Sequence, residues 1–269
     1  MPKTIAQIFG LKSDRFHKNA MGVEVECEWE KSPILHSSDH WNYETDSSLK
    51  SAGAFECVLR EPKPLKNLLK CVNSLRESIT NTGGKIMKTP RSSVHVHLNM
   101  RNKTFREVVN FYCFYLVAEE VLTEWAGEER VGNLFCLRGR DAYDQIYHLQ
   151  NCLINEDTHK PVFKAEHYKY AAFNMAPLQT FGSVEIRTLS TLPNLDKVNE
   201  WLETLDHIRE FSEKNSCSDL PENFSMDGPV NFLKKILGPH YYLMVKNQKD
   251  LEGKAHRGMR LAQDLIMFM

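Results

Sequence analysis

Met21-Gly22-Val23-Glu24-Val25-Glu26-Cys27-Glu28-Trp29-Glu30 decides the reading of this chain. Val23, Val25, Cys27 and Trp29 alternate with Glu24, Glu26, Glu28 and Glu30 without a break. Side chains two residues apart on a strand share a face, so the pattern predicts a strand with one buried face and one row of carboxylates. Like charges at that spacing repel one another. Two readings of the row stand side by side. It is a solvated sheet face whose charges water screens, or it binds divalent cations that remove the repulsion, hard carboxylate oxygens suiting Mg²⁺ or Mn²⁺.

Further strands carry the same contrast of faces. Phe55, Cys57 and Leu59 oppose Glu56 and Arg60; Val94, Val96, Leu98 and Met100 oppose His95, His97 and Asn99; Val184 and Ile186 oppose Glu185 and Arg187. A solvated sheet more often carries Lys, Thr, Ser and Gln on its outer face. Singly, a His-x-His or a Glu-x-Arg pair says little. Jointly, strands presenting Glu/Glu, Glu, His/His and Glu/Arg resemble the floor of an active site. Cys27 and Cys57 fall on the apolar faces and read as core thiols.

Helical periodicity appears in Leu65, Leu68, Leu69, Val72, Leu75 and Ile79, which Gly83-Gly84 terminates. Thr104 and Glu107 form a capping-box pattern that opens a helix over 105–126. Asn194 is placed to cap a helix running to about Lys214. Residues 221–228 read as a loop, and helices are expected over 230–237 and 252–269. The order predicts an α+β fold with an antiparallel or mixed sheet and helices on one face. Residues 1–214 form the expected catalytic domain, and 215–269 a helical extension of it.

Composition narrows the function. The 269 residues carry a formal net charge of -1, so no global basic field draws the chain to nucleic acid. The N-terminal stretch lacks the apolar core of a signal peptide, and no run approaches the roughly 20 apolar residues that span a bilayer. Seven cysteines without a Cys-x-x-Cys pair indicate neither a zinc ribbon nor a disulfide framework. A cytoplasmic protein is expected. Neither a Gly-x-x-x-x-Gly-Lys-Ser/Thr loop nor a dinucleotide fingerprint occurs. His36 and His40 sit among Pro33 and serines and read as surface histidines.

Five segments, taken in order, resemble the amidoligases of the glutamine synthetase / γ-glutamylcysteine synthetase superfamily. Gly22-Val23-Glu24-Val25-Glu26 is similar to the family's Gly-x-Glu-x-Glu strand. Asp46-Ser47-Ser48-Leu49, followed by Phe55-Glu56-Cys57-Val58, is similar to its Asp-Gly-Ser-Leu turn and next acidic strand. Ser92-Ser93-Val94-His95-Val96-His97 resembles its Gly-x-His-x-His strand, Arg130 and Asn133 its Arg-x-x-Asn segment. Tyr170–Asn174 with Val184-Glu185-Ile186-Arg187 resembles its closing strand pair. The likeness runs from about Gly22 to Pro193, with Ser47 and Ser93 where the family has glycine.

The resemblance implies a curved sheet holding ATP and Mg²⁺ or Mn²⁺ on its concave face, and formation of an amide bond through an acyl phosphate. By position, Glu24, Glu26, Glu56, His95 and Glu185 would be metal ligands. His97 would contact ATP phosphate, Arg187 the transferred phosphoryl group, and Arg130 and Asn174 the nucleotide. A base must take a proton from the amine, and Glu28 is the available carboxylate. Asp46 assists a metal or holds its turn. Arg130, Arg138 and Arg140 form either a phosphate clamp or a solvated basic loop. The substrates would be small-molecule or peptide carboxylates and amines, or a protein, cell-wall or nucleic-acid-base acceptor. Runner-up readings are another metal-dependent phosphoryl-transfer or hydrolytic enzyme, or a binding protein that keeps the fold.

Overall fold

Among the described residues, eight short strands make up the β-structure: β1 (Met21–Cys27), β2 (Trp29–Lys31), β3 (Trp41–Glu44), β4 (Phe55–Leu59), β5 (Lys85–Ile86), β6 (Ser93–Asn99), β7 (Phe173–Asn174) and β8 (Ser183–Ser190). Six of them form one sheet in the order β3-β4-β1-β6-β8-β7, and every neighbouring pair is antiparallel. β2 and β5 pair separately. The computed structural model describes residues 2–12, 17–35, 38–46, 49–50, 54–155, 160–164, 168–191 and 195–269. His36, Ser47, Ser48 and Asn194 lie outside these ranges.

The acidic strand is shorter than its alternation predicts. β1 ends at Cys27 because the Glu28 backbone leaves the ladder: its N–H donates to Ser92 Oγ at 3.1 Å, and its carbonyl accepts from the Met87 N–H at 2.8 Å. Alternation then resumes in β2, which pairs elsewhere. An unbroken sequence pattern thus hides a change of partner strand.

Nine α-helices complete a mixed α+β fold: α1 (Ile5–Phe9), α2 (Leu65–Asn81), α3 (Phe105–Ala126), α4 (Tyr143–Ile154), α5 (Val198–Lys214), α6 (Leu220–Asp227), α7 (Pro229–Leu237), α8 (Tyr241–Val245) and α9 (Leu251–Ile266), counted among the described residues. The apolar side chains of the sheet join one core with α2, α3, α5 and the C-terminal helices. The expected capping box opens α3: Thr104 Oγ1 accepts from the Glu107 N–H, and Glu107 accepts from the Thr104 N–H at 2.7 Å. Residues 221–227 are helical, correcting the loop reading of 221–228. Pro221 sits in the first turn of α6, where a missing N–H costs nothing, and Gly228 at φ 76° ends the helix. Helix α4 was not foreseen either; no side chain caps its start, which removes the usual signal.

The last helix packs on the longest one. A Cβ added at Gly258 of α9 would lie 2.2 Å from the Leu116 carbonyl oxygen and 2.7 Å from Val117 Cα. Only glycine lets α9 approach α3 this closely, and Ala255 and Ala262 continue the contact without bulk. The C-terminal helices therefore share the core of the sheet-bearing part. No helix among the described residues is long and apolar enough to cross a membrane.

Three glutamates near the end of α3 separate by environment. Glu120 pairs with Arg257 at 2.8 Å and with Arg140 at 3.1 Å; Glu124 pairs with Lys254 at 2.6 Å. Glu119 is buried: Oε2 accepts the Gly139 N–H at 2.8 Å, and Oε1 has no partner. Burial pushes its carboxyl up to about 8, against the opposing pull of the Gly139 N–H and the Arg138 charge. The folded chain thus keeps a proton that the unfolded chain releases near 4.5, so stability falls as pH rises from about 4.5 to about 8. Glu119→Gln mimics the protonated acid and should abolish that loss. Little change is expected below about pH 4.5 and a gain of a few kcal/mol above about pH 8, at about 1.4 kcal/mol per pKa unit. Urea titrations of both proteins across this range measure it; a gap that does not widen with pH rules the effect out.

Candidate active site

Register assembles the polar face. Across β3–β4–β1, Glu44 faces Glu56, which faces Glu26. Across β1–β6, Glu24 faces His95, and across β6–β8–β7, His97 faces Glu185, which faces Asn174. Directly opposed residues project from the same side of a sheet. Strand alternation and antiparallel pairing alone therefore bring seven titratable side chains from five strands together.

The centre of the cluster is His95, 2% exposed. Its Nδ1 lies 3.1 Å from Glu185 Oε1 and 3.5 Å from Glu24 Oε2. Its Nε2 lies 2.8 Å from Ser93 Oγ and 3.3 Å from Glu26 Oε2. The Ser93 hydroxyl donates to Glu26 Oε2 at 2.5 Å. That hydroxyl has one proton, so its oxygen accepts from His95 Nε2–H. Nδ1 is then the ring atom turned toward two carboxylates. Adjacent ligands of a six-coordinate ion bound at 2.0–2.1 Å sit about 3 Å apart, close to the spacing seen here. The donor set joins hard carboxylate oxygens to an imidazole nitrogen, a combination open to several divalent cations.

Glu24, His97 and Glu185 also offer atoms within 4.8 Å of one another, and Glu26, Asp46 and Glu56 form a second such group. The two groups differ in charge balance. Burial alone would raise the carboxyl of Glu24, but hydrogen bonds and charge from His95 and His97 outweigh it and hold it well below its usual range. At Glu185 burial is likewise outweighed, by His95, Arg187 and His97. Burial disfavours a charged His97, yet Glu24 and Glu185 raise it. Glu56 has no basic neighbour of that kind: burial, then the charges of Glu24, Asp46, Glu26 and Glu44, push it up to about 7. The second group is thus a cluster of carboxylates short of positive charge.

Arg187 and Asn174 clasp Glu185. Arg187 Nη1 donates to Glu185 Oε1 at 2.5 Å, while its buried Nε has no hydrogen-bond partner. Asn174 Nδ2 donates to Glu185 Oε2 at 2.6 Å, and its Oδ1 accepts from the Ala176 N–H at 2.9 Å. Asn174, expected as a nucleotide contact, here has both ends of its amide engaged and orients Glu185. Beside Glu24 and His97 opens a pocket of about 310 Å³, floored by Gly22 and walled by Val58, Pro62 and Phe181.

Three further candidate groups already have partners. Arg130 is 1% exposed, and its guanidinium donates to three backbone carbonyls: Nε to Thr188 O at 3.0 Å, Nη1 to Pro90 O at 3.2 Å and Nη2 to Arg187 O at 2.7 Å. It does not line the pocket beside Glu24 and His97, where the expected phosphate clamp or catalytic group would stand. Arg138 pairs with Asp141 at 2.9 Å and Arg140 with Glu120, so the basic loop spends its charge internally. Glu28, expected as base, lies beyond the end of β1 and accepts the Lys50 N–H at 2.8 Å.

Ser93 was missed. It stands where the resemblance expects glycine, and its hydroxyl joins Glu26 to His95; its place two residues before His95 on one strand face was the available signal. Asp46 was left open between two roles, and the structure brings it to the carboxylate group of Glu26 and Glu56. Comparison with protein-family models and with curated proteins found no match to this chain.

Proposed function

We propose that the chain is an ATP- and divalent-cation-dependent carboxylate–amine ligase of the glutamine synthetase type. One observation carries this reading. Glu24, His95 and Glu185 converge at the spacing of cation ligands, with the unpartnered Nε of Arg187 at their edge.

In this reading Glu24, His95 and Glu185 hold one cation, and Glu26, Asp46 and Glu56 a second. Bound Mg²⁺ or Mn²⁺ supplies positive charge beside the phosphates of ATP. The pocket next to Glu24 and His97 has the size and apolar walls to seat a nucleoside, which puts His97 beside the phosphate chain. Arg187 directs its free N–H to an oxygen of the phosphoryl group in transit, where a fixed donor in a dry site lowers the barrier. The substrate carboxylate attacks the γ-phosphorus as the bond to ADP breaks. The amine then displaces phosphate from the acyl carbon and loses a proton. Ser93 and Asn174 bind no substrate; they orient Glu26 and Glu185.

The test is ADP release with Mg²⁺ across panels of carboxylic acids and amines, with products followed by mass spectrometry. Release that needs both an acid and an amine, with a new amide mass, is expected. ADP release indifferent to acid would make this a hydrolase, and absence of ATP binding would remove the reading altogether.

A further inference from the structure

The register of β6 against β8 shifts by one. Val94 faces Leu189 but Val96 faces Ile186, so two steps on β6 span three on β8. The extra residue is a β-bulge in which Arg187 and Thr188 share the place opposite His95. Without it, strict alternation from Val184 and Ile186 would turn Leu189 onto the polar face, although Thr188 is buried in either case, its hydroxyl 3.0 Å from the Tyr115 hydroxyl. With it, Leu189 returns to the core, 0% exposed, and Arg187 stays beside Glu185.

A bulge leaves carbonyls without ladder partners, and buried carbonyls need donors. In a regular strand successive carbonyls point to opposite neighbours. Here those of Arg187 and Thr188 both accept from one guanidinium, at 2.7 and 3.0 Å. The third donor of Arg130 reaches Pro90 O at 3.2 Å, which Asn133 Nδ2 also bonds at 2.9 Å. Pro90 leads into Ser92 and Ser93, the residues that hold the Glu28 N–H and the Glu26 carboxylate. One buried side chain thus ties the β8 bulge to the entry of β6. Gly127 at φ 155° turns the chain from the end of α3 into the short 3-10 turn (Glu128–Arg130) that delivers it.

We propose that Arg130 is a positioning residue, whose guanidinium fork fixes the β8 bulge and through it the aim of Arg187. The proposal rests on the assignment of Arg187 to the phosphoryl group, but its geometric half can be tested without turnover. In the wild-type protein the Arg187 and Arg130 Nε–H resonances, assigned by their loss in Arg187→Lys and Arg130→Lys, report each side chain. Addition of Mg²⁺ and ATP should move the Arg187 signal and leave Arg130 slowly exchanging at its original position. Should the Arg130 signal move as far as that of Arg187, it touches ligand and the proposal falls. In Arg130→Lys, with diamagnetic Mg²⁺ alone, the Arg187 signal should shift or broaden relative to the wild type while Mg²⁺ affinity, read by calorimetry, changes less than about threefold. A folded Arg130→Lys protein with an unmoved Arg187 signal overturns the coupling. If that variant fails to fold, the wild-type titration decides. If the wild type turns over, Arg130→Lys should lower kcat about tenfold or more and leave the KM for ATP nearly constant. The double variant with Arg187→Lys should then be no slower than Arg187→Lys alone. Multiplying losses would show two independent contacts and refute it. A wild type with no ligase activity would sink the functional reading and leave the resonance experiment to judge this one.

Discussion

Arg187→Lys should lower ATP-dependent turnover by about 10²–10³ while nucleotide affinity stays close to that of the wild type. Arg187 bonds Glu185 through Nη1 and has a second edge without a partner. Lysine keeps the charge near Glu185 but has no planar fork, so it cannot hold the carboxylate and reach a phosphoryl oxygen at once. The interaction lost is one made chiefly in the transition state, so kcat falls and binding survives. The loss corresponds to about 2.7–4 kcal/mol. Calorimetry with Mg-ATP and a coupled assay for ADP, run on both proteins, separate the two quantities. Full turnover by the lysine variant would take Arg187 out of the mechanism.

Divalent cations should raise the melting point strongly. Glu26, Asp46 and Glu56 gather within 4.8 Å, and burial together with its neighbours' charge pushes Glu56 up to about 7, so without a cation the cluster carries repulsion. A cation that binds only the native state at a hundred times its Kd adds about 2.7 kcal/mol. For a chain of this size that is roughly 5–10 °C in Tm. Glu56→Gln relieves one charge of the repelling group, so the metal-free protein should melt slightly higher and gain less from Mn²⁺. Glu185→Gln acts on the other group and should cut the cation shift without the metal-free gain, because Glu185 is held by His95, Arg187 and Asn174. Equal midpoints with EDTA and with saturating Mg²⁺ or Mn²⁺ would argue that these carboxylates bind no cation.

The chain's own alternation determined the strands and the sidedness of the sheet. Glu24 with Glu26, His95 with His97, and Glu185 with Arg187 could each be placed on one face from spacing alone, because period two is a local property of extended backbone. Caps were legible for the same reason, as Thr104 and Glu107 show.

Only the tertiary structure decided where each strand stops, which residue faces which, and which charges are already spent. The end of β1 at Cys27 depends on Ser92, 64 residues away. The bulge at Arg187 depends on a guanidinium 57 residues earlier. Arg130, Arg138 and Arg140 read alike in sequence, yet one is sealed on three carbonyls and two are paired with acids. Glu119 and Glu120 are neighbours, yet one is buried with a raised carboxyl and the other is bound to two arginines. Spacing records the direction in which a side chain leaves the backbone. The partner that meets it, and the water that packing removes around it, come from residues far along the chain, and those set charge, hydrogen bonding and role.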